Sequence, residues 1–148
     1  MDIKSAIIEA MIEISQMFGL NISFKGETKE GHQFTGEQVN VLIGLTDGIR
    51  GNVIMGFKKD TASSIVSAMM GGMEVKEFDF MAKSAIGELA NMTLGSAVMK
   101  VKSSNVVNLS PPTVAVGQDM FLTVSGNSST KMEFKLNDEI FNMILSES

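Results

Sequence analysis

Ser84, Glu88 and Asn91 stand at i, i+4 and i+7, a spacing that places a hydroxyl, a carboxylate and a carboxamide on one stripe if the segment is helical. A carboxylate can clamp a cationic group. A carboxamide can accept a hydrogen bond through its oxygen and donate through its nitrogen without gaining or losing a proton. Together they suit positioning chemistry, such as holding a water in line with a reactive bond, better than proton transfer or nucleophilic attack. The same three residue types also occur on ordinary solvated helix faces. Asparagine is a mediocre residue for a helix interior, where Glu, Lys or Gln would be the freer choice.

Other chemistries lack their residues. The chain has no cysteine, which removes disulfides, thiolate metal sites and thiol nucleophiles. Its one histidine, His32, lies between Gly31 and Gln33 and reads as a loop residue without an orienting partner. Gly71-Gly72 lacks the setting of a nucleotide loop and reads as a helix stop. A formal charge of −5, with lysines not gathered into a stripe, argues against nucleic acid as a partner. Glu9 and Glu13 make the first segment too charged for a signal core or a membrane span, so no membrane association and a cytoplasmic location are expected. Thirteen methionines and nine phenylalanines without Trp or Tyr are expected mainly as core filler, although methionine also suits adaptable surfaces.

The stripe must be held by a fold, and the sequence describes that fold twice. Lys4-Ser5-Ala6-Ile7 recurs as Lys83-Ser84-Ala85-Ile86, and Glu9 recurs as Glu88 at the same offset of 79 residues. The register continues with Val53, Met55 and Phe57 over Met132, Phe134 and Leu136, and Ile65 over Ile144. This argues for internal duplication, with halves at about 1–74 and 80–148 in a single domain spanning 1–148. Each half reads as helix, strand, hairpin and shorter helix. Ile3 to Phe18 has helical spacing with Gly19 as a stop, and Leu20, Ile22 and Phe24 alternate as a strand. Val39 to Leu45 and Val53 to Phe57 form a hairpin about Asp47-Gly48, and Asp60 caps a helix through Met70. In the second half a helix runs from about Asp79 to Val101, and Val106 to Leu109 and Val114 to Val116 are strands separated by Pro111-Pro112. A hairpin about Gly126-Asn127 joins Met120–Val124 to Met132–Leu136, and Asn137 or Asp138 caps a last helix. The expected class is α+β, with two long helices packed on a mainly antiparallel sheet of about six strands. On the second long helix Ile86, Leu89, Thr93 and Ala97 oppose Ser84, Glu88 and Asn91, so the stripe should face outward.

The run Ser84-x3-Glu88-x2-Asn91, then Gly95 and Ala97, then Pro112-x4-Gly117, resembles the CheC/CheX/FliY family of chemotaxis phosphatases. The resemblance covers essentially the whole chain. It implies a protein that removes phosphate from the aspartate of a CheY-like response regulator. Asn91 would orient the attacking water, Glu88 would dock a lysine of the regulator, and Ser84 would touch the partner. Ser5 and Glu9 match Ser84 and Glu88, but Ile12 stands where an asparagine would match Asn91, so the first copy is a degenerate site. A single site on the second long helix is closest to CheX-like members, which further implies a homodimer joined through sheet edges. No cofactor of the chain's own is implied; Mg2+ would be held by the regulator's acidic residues. A non-catalytic receiver-binding adaptor and a structural protein related to the flagellar switch are the alternatives.

Overall fold

The computed structural model describes residues 1–102 and 105–148. The first helix, α1 (Ile3–Met17), starts where the Asp2 side chain accepts a 2.7 Å hydrogen bond from the Ser5 backbone N–H. Ile3, Ala6, Ile7, Ala10 and Met11 form its buried face. It ends at Gly19, with φ of 72°, where the Leu20 N–H bonds to the Ser15 carbonyl and the Gly19 N–H to the Gln16 carbonyl. This is the paired closure that a left-handed residue after a helix permits.

The chain then runs through β1 (Ile22–Glu30), β2 (Gln33–Thr35), β3 (Val39–Asp47), β4 (Gly51–Phe57) and the helix α2 (Lys59–Met69). The long helix α3 (Phe80–Lys100) follows, then β5 (Val107–Leu109), β6 (Thr113–Val116), β7 (Phe121–Thr123), β8 (Ser129–Leu136) and β9 (Glu139–Glu147). Seven strands form one sheet in the order β1-β8-β9-β4-β3-β5, with β6 also paired to β3, and β2 pairs β7 in a separate ribbon. Every pairing is antiparallel. Strand residues Val41, Ile43, Val53, Met55, Met132 and Met143 share one core with the buried sides of α1, α2 and α3. Across its centre Phe24, Phe134, Phe141 and Phe57 form a row of rings with centroids 5.1 to 5.7 Å apart, in the offset and edge contacts that aromatic rings favour.

Several expectations need correction. The last segment is strand β9, not a helix. Leu136 pairs with Glu139 across a two-residue turn in which Asn137 has φ of 55°, so Asn137 and Asp138 close a hairpin rather than cap a helix. The largely apolar run after them, broken by Asn142, belongs to a strand lying between β8 and β4 and buried from Phe141 to Ser146, so its pattern does not separate strand from helix. The offset of 79 therefore sets Ile65 of α2 over Ile144 of β9, and that part of the register does not match element to element. No hairpin forms about Gly126-Asn127, because β7 pairs with β2 while β8 pairs with β1 and β9. Asp60 lies in the first turn of α2; Lys58 is the N-cap, and the Lys59 N–H bonds to the Gln38 side-chain oxygen at 2.7 Å. Among the described residues the main sheet has seven strands, close to the expected six, and β2 and β7 stand apart as a ribbon.

The cap on α1 gives a pH-dependent prediction. The Ser5 hydrogen bonds hold the Asp2 carboxyl below its usual value, so its contribution is complete above the unfolded value and fades as pH falls through the depressed folded one. Asp2→Ala should cost about 1 kcal/mol at neutral pH. Urea unfolding of both proteins should show that difference closing in acid.

Candidate functional site

Asp79 opens α3 by accepting a 3.0 Å hydrogen bond from the Ala82 N–H. The helix then runs for 21 residues, about 31 Å at 1.5 Å per residue. Ile86, Leu89, Thr93 and Ala97 are fully buried on its inner side, as their spacing required. Ser84 and Glu88 are exposed, and Asn91 is half-buried. The Glu88 carboxylate and the Asn91 carboxamide have no hydrogen-bond or ion-pair partner among the described residues. Two polar groups one turn apart are thus presented outward, uncommitted, from an element whose other side is locked into the core.

Gly87 supplies part of that rigidity, and nothing in its sequence setting marked it. A Cβ there would lie 3.3 Å from Val114 Cγ2 and 3.6 Å from Pro112 Cγ, so its lack of a side chain lets β6 and the preceding proline press on the helix. Gly87 is one turn before Asn91. Pro112 is therefore a packing residue against α3 one turn before Asn91.

On α1 the corresponding residues are arranged differently. Ser5 is exposed and Ile12 half-buried, but Glu9 is engaged: Lys100 from the end of α3 lies 3.2 Å from Glu9 and 2.9 Å from Glu13. The hydrogen bond donated by Lys100 holds the Glu13 carboxyl below its usual value, and its bonds to Glu13 and then Glu9 raise the ammonium. The first face has no asparagine at the position matching Asn91, and its carboxylate is spoken for.

A lone carboxylate is a poor resident site for a divalent cation, which takes several oxygen ligands. Among the described residues no three His, Asp or Glu converge on one point. No helix among them is long and apolar enough to cross a membrane.

Fold and site define an α+β protein that offers a carboxylate and a carboxamide from one outward helix face. The model of the family described as chemotaxis phosphatase CheX matches residues 39–135. The chain is 39% identical over 120 residues to the CheY-P phosphatase CheX of Thermotoga maritima, covering 80% of this chain and 77% of that protein. It therefore belongs to the CheX family of chemotaxis phosphatases. The crystal structure of a chemotaxis protein CheX from Desulfovibrio desulfuricans superposes with a TM-score of 0.84 at 21% identity, covering all of both chains. The CheX-CheY-BeF3-Mg2+ complex from Borrelia burgdorferi gives 0.81 at 21% identity, covering 99% of this chain and 97% of that one. These two likenesses establish the CheC-like fold.

Proposed function

We propose that this chain hydrolyses the aspartyl phosphate of a CheY-like response regulator, with Asn91 orienting the water and Glu88 docking a lysine of the partner. The observation that carries the reading is the uncommitted Glu88 and Asn91 pair on the outward side of α3, in a chain whose 39% identical relative is named a CheY-P phosphatase. The reaction takes water and an acyl phosphate to a free carboxylate and inorganic phosphate. The bond is already reactive, so the catalyst needs mainly to place the water and tolerate charge spreading over the phosphoryl oxygens. The Asn91 carbonyl accepts from the water and its NH2 donates toward the phosphoryl group. Ser84, one turn before Glu88, lines the approach. Mg2+ belongs to the regulator's acidic residues. A time course of phosphate loss from phosphorylated CheY-type receivers tests the reading, and binding without turnover would select the adaptor instead.

The chain works as one domain of two related halves in the cytoplasm. The outer edge of β1 is free of a neighbouring strand among the described residues, which supports a homodimer joined through sheet edges.

The engaged first face yields a second test. Ile12→Asn in an Asn91→Ala background should not regain turnover, because Lys100 still holds Glu9. Adding Lys100→Gln should release that carboxylate and recover a few per cent of wild-type turnover. Recovery by Ile12→Asn alone would show that the ion pair does not block the first face.

A further inference from the structure

The outward side of α3 is apolar at both ends of the Glu88 and Asn91 pair. Phe80 is 81% exposed, Met81 59% and Met99 87%. At 100° per residue these three share an arc of about 100° with Ser84, Glu88, Asn91 and Gly95, and Phe80 to Met99 spans about 28 Å. Of the thirteen methionines, five are exposed, so core filling accounts for only part of them. A solvated helix face does not ordinarily carry large apolar side chains flanking its polar residues.

Beside Met81 the segment entering α3 forms a groove of about 400 Å³. Met70, Met73, Val75 and Met81 supply its apolar lining, and Glu74, Glu77 and Asp79 against the single Lys76 give it an acidic rim. Methionine walls adapt to the shape of what enters them. Met81 lies about 10 Å along the helix from Glu88, within the footprint of one partner, since a standard interface buries about 800 Å² on each side.

We infer that Phe80, Met81 and Met99 are docking residues for the same receiver domain whose phosphate Asn91 addresses, and that the methionine groove seats an apolar side chain of that receiver flanked by a lysine or arginine. The inference rests on the phosphatase reading and adds to it the surface that selects the partner. Continuity with the Glu88 and Asn91 pair and the acidic rim commit the groove to the receiver rather than to a second copy of this acidic chain. The polar pair does the positioning and the apolar flanks hold the complex together.

The test is steady-state turnover of a CheY-type receiver phosphorylated by acetyl phosphate, with parallel titration of its beryllofluoride form. Phe80→Ser/Met81→Ser should raise KM and Kd tenfold or more while kcat stays within twofold, and Met99→Ser should raise both about threefold. Met17→Ser, at an exposed position on α1, should change neither. KM and Kd within twofold of wild type in the double variant would overturn the docking surface, and loss of turnover in Asn91→Ala would then leave the phosphatase reading standing. Weakened binding in the double variant with full activity in Asn91→Ala would do the reverse. A change of oligomeric state in the double variant, with receiver binding intact, would assign the groove to self-association and also overturn the inference.

Discussion

Asn91→Ala is expected to lower phosphate release from the phosphorylated regulator by about 100-fold or more, the cost of losing alignment of a reacting group, while regulator binding survives. In the proposed role, alanine removes both the acceptor that would orient the water and the donor that would face the phosphoryl group, and it offers no substitute. The scaffold should not suffer. Asn91 has no internal hydrogen bond to lose, and alanine favours a helix interior by roughly 0.5 kcal/mol, so the variant should unfold at or slightly above the wild-type midpoint. An inactive protein of unchanged stability separates chemistry from folding. Asn91→Asp should fail as well, because a carboxylate cannot donate and repels the phosphoryl oxygens. Glu88→Ala should act differently, raising KM together with a fall in kcat, since in the proposed role it docks a cationic group on the regulator. Wild-type turnover in Asn91→Ala would remove the water-orienting role outright.

The outward placement of the candidate pair was legible because its residues are local. Glu88 and Asn91 lie within one turn of a helix whose start, Asp79, carries its own capping signature, and whose inner face repeats at helical spacing. The stops at Gly19 and Gly71 were readable for the same reason: a left-handed residue after a helix is marked by glycine. The misread parts depend on partners distant in sequence. β9 is buried on both faces, with Phe141, Met143 and Leu145 in the core and Asn142, Ile144 and Ser146 covered on the other side, and a short, largely apolar run does not distinguish strand from helix. The turn residues at Gly126-Asn127 suggested a hairpin that tertiary pairing assigned elsewhere, β7 being drawn to β2 some ninety residues away. Gly87 could not be recognised as a packing position without Pro112 and Val114 in place against it. The apolar flanks were in view as Phe80, Met81 and Met99, but only burial shows that they are exposed rather than core. Lys100 is the basic residue of the last turn of α3, and its grip on Glu9 required α1 and α3 side by side.

Gly51→Ala should be the most damaging single-methyl change in the sheet. Gly51 opens β4 opposite Glu147 of β9, where the two halves of the chain meet at the sheet centre. A Cβ there would collide with the Ser146 carbonyl oxygen and stand 2.9 Å from its carbon and 3.0 Å from the Glu147 Cα. All three are backbone atoms, so no rotamer change relieves the contact; one strand must move, and β4 is held on its other side by β3. Overpacking of this kind costs about 2 to 3 kcal/mol, more than the fraction of a kcal/mol gained by restricting the unfolded chain, and should lower Tm by roughly 6 to 10 °C. Gly95→Ala is the matched control. That glycine is inside α3 with open space beyond its own helix where a Cβ would stand, so alanine should stabilise by about 0.5 to 1 kcal/mol. Urea unfolding of the two variants should therefore move in opposite directions from wild type. The folded fraction of Gly51→Ala should retain regulator turnover, because the substitution leaves the outward face of α3 untouched. A wild-type midpoint for Gly51→Ala would mean that β4 and β9 do not approach in this register, and the central pairing of the sheet on which α3 rests would have to be redrawn.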